Sequence, residues 1–203
     1  MVIIRCGANC AVEGYDGTRV MAETDSRWNG ISMRIVVRVG NHTLFHSEWS
    51  SKGSKITGSD DAVEVNVGGS CRVKVPASSS LKIYAGKHAS VASVHGPVLI
   101  NAGGDARAIG VGSMEPCNAG GTIEVDCERL TADDAKFNAG NDIRIRVRSL
   151  SDARVMVNDA GGFWDGEIGN GRTTVRLRCG GAATLITEHE VRGKILGNIE
   201  RPA

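Results

Sequence analysis

Residues 97–125 read PVLINAGGDARAIGVGSMEPCNAGGTIEV. This stretch twice places an asparagine, an alanine and two glycines after a short apolar segment, at 101–104 and again at 118–121. We call a small or aliphatic residue followed by glycine at such a place a corner. Corners recur along the chain in steps of 18, 17, 17, 20, 21, 19 and 17 residues. Their first glycines are Gly68, Gly86, Gly103, Gly120, Gly140, Gly161, Gly180 and Gly197. A repeat of this period without a helical pattern indicates stacked β-coils.

The residues around the corners alternate, and one parity is small or aliphatic. Because alternate side chains of a strand point to opposite faces, we expect this parity to face a core. After the corners, the inward set is Cys71, Val73, Ala89, Val91, Ala106, Ala108, Ile123, Val125, Ile143, Ile145, Ala183 and Leu185. Before the corners, it is Leu81, Ile83, Val98, Ile100, Ala135, Phe137, Val175 and Leu177. The pattern predicts an all-β fold, a single-stranded β-solenoid with coils of 17–21 residues.

The outward positions carry charges that change sign from coil to coil. If successive coils stack in register, three rows of charged side chains lie next to one another. The middle row is basic, and the rows on its two sides are acidic. The rows are Glu124, Asp126 and Glu128, then Arg144, Arg146 and Arg148, then Asp165 and Glu167. Opposite charges on neighbouring strands contribute roughly 0.2–1 kcal/mol per pair, so we interpret the arginines as a register device.

Asparagine recurs two residues before the corner glycine, at Asn101, Asn118 and Asn138. Two explanations stay open. The amides form ladders between coils, or asparagine is there because it suits turns.

The sequence divides into residues 1–61, a β-rich N-terminal region with less regular spacing, and residues 62–203, the predicted solenoid. The first region holds Trp28, Phe45 and Trp49, so we expect it to continue or cap the solenoid. The polar stretch 50–61 is predicted to be a loop rather than a domain linker.

Two stretches carry a family resemblance. Residues 71–83, CRVKVPASSSLKI, and residues 169–185, GNGRTTVRLRCGGAATL, resemble the bacterial adhesin-like β-solenoids, a family of domains of unknown function. The resemblance covers about residues 62–188 and implies the fold, without any catalytic residue. The chain departs from the family pattern at 112–116, where we expect an interrupted strand. By architecture alone it is similar to bactofilins, cytoskeletal β-helices that polymerise through their ends.

Charge and hydropathy exclude several partners. Lys plus Arg number 24 and Asp plus Glu 23, and the net charge of +1 creates no field for nucleic acid. No apolar run is long enough to span a membrane, and no signal peptide begins the sequence. As the sequence stands we expect a cytoplasmic protein with reduced thiols. A removed leader would place it at the cell surface or outside the cell.

The candidates for chemistry are few, and we assign no catalytic residue, cofactor or metal. Cys6 and Cys10 with His42 and His46 supply zinc-type ligands, but on strands each pair is too far apart, and whether they bind metal stays open. The other cysteines, Cys71, Cys117, Cys127 and Cys179, fall on the inward parity and are interpreted as small core residues. The acidic pairs at 60–61, 133–134 and 188–190 are interpreted as solvated turns, because short coils leave no walls for a glycosidase cleft.

These features favour a non-enzymatic structural protein that assembles with itself through exposed coil ends or faces. The alternative is an adhesin-like module that binds carbohydrate or protein through a flat face, with Tyr84 and Trp164 as its aromatic candidates. A polysaccharide-active enzyme ranks third.

Overall fold

The computed structural model describes residues 1–17, 20–28, 31–39, 45–49, 54–59, 62–67, 70–130, 133–150, 152–188, 192–194 and 199–200; between 21 and 67 it describes the backbone alone. The regular structure of these residues is entirely β-strand, as the alternation predicts. None of the described residues forms a helix long and apolar enough to cross a membrane.

The strands are short and follow one another closely. The first ten are β1 (Val2–Cys6), β2 (Cys10–Tyr15), β3 (Val20–Trp28), β4 (Ile31–Val39), β5 (Phe45–Trp49), β6 (Ser54–Ser59), β7 (Ala62–Val67), β8 (Cys71–Pro76), β9 (Leu81–Ala85) and β10 (Ala89–Ala92). Next come β11 (Pro97–Ala102), β12 (Ala106–Ala119), β13 (Ile123–Leu130), β14 (Asp134–Ala139), β15 (Ile143–Val147) and β16 (Ala153–Asp159). The last described are β17 (Gly162–Ile168), β18 (Thr173–Cys179), β19 (Ala183–Thr187), β20 (Arg192–Lys194) and β21 (Ile199–Glu200).

The parallel pairings of the described strands form two ladders. Ladder A runs in the order β7, β1, β9, β11, the end of β12, β14, β18 and β16. Ladder B runs in the order β8, β2, β10, the start of β12, β13, β15, β19 and β21. From β7 to β15 the chain alternates between the ladders, and between β9 and β15 each corner glycine lies where it passes from A to B.

The core between the ladders confirms the predicted parity. Every residue of the inward set is buried, and the largest of them, Phe137, has no exposed surface. The inward cysteines are buried as well. Burial of this continuous aliphatic layer is the main stabilising term of such a fold.

The interruption expected at 112–116 is wrong, because β12 continues through it. The strand carries a bulge between Ile109 and Val111, where Gly110 has a φ of 63°, and a second register shift where Glu115 and Pro116 lie opposite Leu99 of β11. The two halves of this strand serve different ladders, since its start pairs with β10 and its end with β14.

We call one strand of ladder A and the strand of ladder B that follows it in the chain a coil. The spatial order of the coils along the ladders differs from their order in the sequence. The first coil, β1 and β2, lies between β7–β8 on one side and β9–β10 on the other. At the far end, β18 lies between β14 and β16. The first coil and β18 therefore have neighbours that are distant in sequence.

Antiparallel strands adjoin the ends of the ladders. β3 pairs with β8 and β4, β6 pairs with β7 and β5, and β17 pairs with β16 and β20. The loop expected over 50–61 is therefore wrong for β6; its remaining residues lie outside the described part of the chain. Gly161 lies in the turn between β16 and β17 rather than at a stacked corner, and Gly68 and Gly197 are not described.

Candidate functional site

The corner glycines form a stack in which no side chain fits. A Cβ on Gly103 would lie 2.3 Å from the carbonyl oxygen of Gly86, and one on Gly120 would lie 2.2 Å from that of Gly103. Gly140 and Gly180 continue the stack in the same way. Glycine is required here by the close approach of one backbone to the next.

Side chains two residues after the stacked glycines tie each coil to the next. The Thr122 N–H donates to Asp105 Oδ1 at 2.8 Å, and the Ala182 N–H donates to Asp142 Oδ1 at 2.8 Å. In the same position, the Asp105 N–H donates to His88 Nδ1 at 3.1 Å. These contacts satisfy backbone donors at the corners, where the ladder hydrogen bonds begin again.

The asparagines before the corners form an amide ladder, so the first of the two explanations is confirmed. Asn118 Nδ2 donates to Asn101 Oδ1 at 2.8 Å, and Asn138 Nδ2 donates to Asn118 Oδ1 at 2.8 Å. All three lie on the outer side of ladder A in matched register.

The amide ladder is the centre of a longer row, which we call the amide stripe. Its members occupy paired positions on eight neighbouring strands and run Arg5, Tyr84, Asn101, Asn118, Asn138, Arg178, Asn158 and Phe163. At a strand spacing of about 4.8 Å the stripe is about 34 Å long. Tyr84 is 39% exposed and Phe163 61% exposed, and the Arg5 guanidinium lies 5.6 Å from the centre of the Tyr84 ring.

A shallow groove of about 720 Å³ follows the part of the stripe from Asn118 to Asn158. Its polar wall is Asn118, Asn138, Asn158 and Arg178, and its floor is formed by the small corner residues between positions 102 and 180. The floor is low because alanine, glycine and cysteine at the corners carry side chains much shorter than the neighbouring asparagines and arginine.

Three thiols meet in the core where the end of β1, in ladder A, faces the starts of the paired strands β2 and β8, in ladder B. The Sγ atoms of Cys10 and Cys71 are 3.7 Å apart, and Cys6 Sγ donates to the Asn9 carbonyl oxygen at 3.1 Å. Hydrogen bonds from the Cys10 and Cys71 thiols lower the pKa of Cys6, and the pKa of Cys10 is raised by its bond to Cys6 and by burial. All three are buried, so they pack the core and do not face a substrate.

Only two of the four possible zinc ligands, Cys6 and Cys10, have side chains within the described part of the chain. A corner separates Cys6 from Cys10, which supplies the turn that the first pair needs. His42 and the His46 side chain lie outside the described part. Within that part, no group of three or more His, Cys, Asp or Glu residues is arranged to hold a metal ion.

The arginine row of β15 has the expected acidic row on one of its two sides, on β13. Glu124 pairs with Arg144 and Asp126 with Arg146, and Arg148 Nη2 lies 2.8 Å from Asp126 Oδ1. On the other side of the arginines lies β19, so the expected flank is wrong. Asp165 instead contacts Arg154 at 2.6 Å across the β16–β17 hairpin, because that hairpin leaves the coil order.

Among the acidic pairs, Asp134 is held in ion pairs. Lys136 and Arg176 lie 3.0 and 2.8 Å from its carboxylate, and together they lower its pKa. Residues 60–61 and 189–190 lie outside the described part.

Sequence reasoning missed the ends of the stripe and one corner. The corner is Gly7, whose carbonyl oxygen would lie 2.3 Å from a Cβ on Gly86. The sequence does indicate this corner, because Cys10 and Val12 follow Gly7 by three and five residues, as the inward residues follow the other corner glycines. Arg5 and Phe163 were missed because they join the stripe through the non-sequential coil order. The Trp164 side chain is not described, and Phe163 is the exposed ring beside it.

No protein-family model, curated protein or solved structure matches this chain.

Proposed function

We propose that the chain is a β-solenoid and acts as a non-enzymatic structural protein, a scaffold that assembles with copies of itself. The two parallel ladders, the alternation of the chain between them and the glycine stack support the solenoid, since each coil buries its apolar face only against its neighbours. The motifs that resemble the adhesin-like β-solenoids are consistent with the same fold. The observation that carries self-assembly is the edge of β4.

β4 is a long edge strand. It pairs with β3 over all nine of its residues, and no other described strand pairs with it. Its sequence, ISMRIVVRV, is rich in β-branched residues. A long edge of this composition is a template for pairing with another chain. At the other end of the ladders, β20 and β21 already cover strands of the last coils, so we place the contact at β4 rather than at the C-terminal segment.

The sequence of β4 favours one pairing with a second copy. An antiparallel pair centred on Ile35 puts Ile31 opposite Val39 and Arg34 opposite Val36. A shift of two residues in either direction puts arginine opposite arginine, which destabilises a sheet pair. Antiparallel β4–β4 pairing is therefore specific in register.

A charge at position 36 tests this contact. Val36→Lys places like charges opposite each other twice in the dimer, because residue 36 faces Arg34 of the second copy. Val36→Glu places opposite charges there, and because position 36 is also paired with Glu23 of β3, thermal melts of both variants check that the hairpin is equally folded. We expect the two variants to differ about tenfold in dimer dissociation constant, with the lysine variant weaker.

Sedimentation velocity over a wide concentration range measures this difference, and negative-stain microscopy shows the form of the assembly. A wild-type protein that stays monomeric throughout contradicts self-assembly. Equal association of the two variants contradicts the β4 contact.

A further inference from the structure

We propose that the amide stripe binds a linear acidic polysaccharide, which lies along ladder A with its sugar units in step with the coils. This binding function goes beyond self-assembly and uses a different surface, since the stripe is on the outer side of ladder A and β4 adjoins the end of ladder B.

The amide ladder presents a regular row of hydrogen-bonding groups. An asparagine amide has two N–H donors and an oxygen with two lone pairs. Asn118 uses one donor toward Asn101 and one lone pair toward Asn138, which leaves one donor and one lone pair of the Asn118 amide for a ligand. The ladder also fixes the amide planes, so binding costs little side-chain entropy.

Hydroxyl groups complement such a row, because each hydroxyl both donates and accepts. Successive units of an extended β-linked glycan repeat at nearly the spacing of neighbouring strands. A chain along the centre of the stripe therefore meets one amide per strand at Asn101, Asn118 and Asn138. The open groove of about 720 Å³ gives access from one side without deep enclosure.

The two ends of the stripe add aromatic and cationic groups. Tyr84 and Phe163 are exposed rings that can cover the apolar face of a sugar. The stripe contains two guanidinium groups, Arg5 and Arg178, and no carboxylate. Arg178 has no ion pair within the described part of the chain, and a guanidinium binds a carboxylate through two parallel hydrogen bonds. The charge favours a glycan that carries carboxylates over a neutral one.

Isothermal titration of the full chain with β-1,4-linked oligomannuronates of increasing length tests the proposal, with neutral cello-oligosaccharides of the same lengths as the comparison. We expect affinity for the acidic series to rise until the oligomer spans the stripe. Arg178→Gln is expected to weaken acidic binding about tenfold. Phe163→Ala weakens both series.

Arg107→Gln is the matched control, because Arg107 is exposed on ladder B and pairs with Glu124 at 2.9 Å. It leaves binding unchanged, and thermal melts confirm that each variant is folded. The proposal is overturned if neither series binds, if neutral and acidic oligomers bind equally, or if Arg107→Gln has the same effect as Arg178→Gln.

Discussion

The identity of single residues matters most at the corners, where one missing atom sets the distance between coils. The carbonyl oxygen of each stacked glycine occupies the place where the next glycine would carry a Cβ. The Gly120 N–H also donates to the Ala102 carbonyl oxygen at 3.0 Å, so the chain cannot move away without losing a ladder hydrogen bond. Steric contact and hydrogen bonding together leave glycine as the one residue that fits.

Gly120→Ala is therefore expected to destabilise the protein strongly. The added Cβ would lie 2.2 Å from the Gly103 carbonyl oxygen, and the backbone must shift to accept it. We expect a loss of about 3 kcal/mol in the free energy of unfolding. Thermal or urea unfolding measures the loss.

Gly161→Ala is the control, because its Cβ would approach only the Asp159 carboxylate oxygen, at 3.2 Å, and its φ is not in the left-handed region. The Asp159 carboxylate accepts from the Gly161 and Ala183 N–H groups and needs to shift by only a few tenths of an ångström, so the control should cost less than about 1 kcal/mol. Equal losses in the two variants would show that the glycine stack does not constrain the coils.

Among the individual elements, β12 shows how a bulge alters what a strand buries. The extra residue moves the buried positions from Ala106 and Ala108 to Val111 and Ser113, and Met114 next to Ser113 is buried as well. Ser113 has no exposed surface and its Oγ has no hydrogen-bond partner within the described structure. A buried hydroxyl without a partner costs free energy that an apolar side chain of similar size does not.

Ser113→Ala should therefore stabilise the protein, by about 1 kcal/mol. Chemical denaturation with both proteins at equal concentration measures the change in midpoint. Ser90→Ala is the control, since Ser90 is exposed on the neighbouring strand β10 and should have little effect. A loss of stability in Ser113→Ala would mean that the hydroxyl is hydrogen-bonded in solution.

The same elements show what the sequence could predict. The alternation of Ile123 and Val125 or of Leu81 and Ile83 identified inward residues correctly, because a strand has a fixed period of two. Pairing partners were predictable only where coils stack in chain order, as for Glu124 with Arg144. Nothing local in the sequence indicates that Arg5 lies beside Tyr84 or Asn158 beside Phe163, so the ends of the amide stripe required the structure.

For the whole molecule, the position of the first coil has the largest consequence. β1 pairs with β7 on one side and β9 on the other, and β2 pairs with β8 and β10. Strands joined on both edges have their backbone amides bonded within the sheet. The first coil is thus part of the folded core, and its contacts link residues far apart in sequence, which slows folding relative to a stack built in chain order.

Hydrogen exchange followed by mass spectrometry tests this arrangement directly. Amides of β1 and β2 should exchange as slowly as those of β9 and β10, since both coils have partners on either side and open only with the core. β20, which pairs with β17 alone among the described strands, should exchange on the order of 10²-fold faster. Fast exchange of Val2–Cys6 beside slow exchange of Leu81–Ala85 would show that the first coil is not held between its neighbours. Slow exchange of β1 and β2 together with β9 and β10 would mean that the β1–β2 pair cannot detach without opening both ladders.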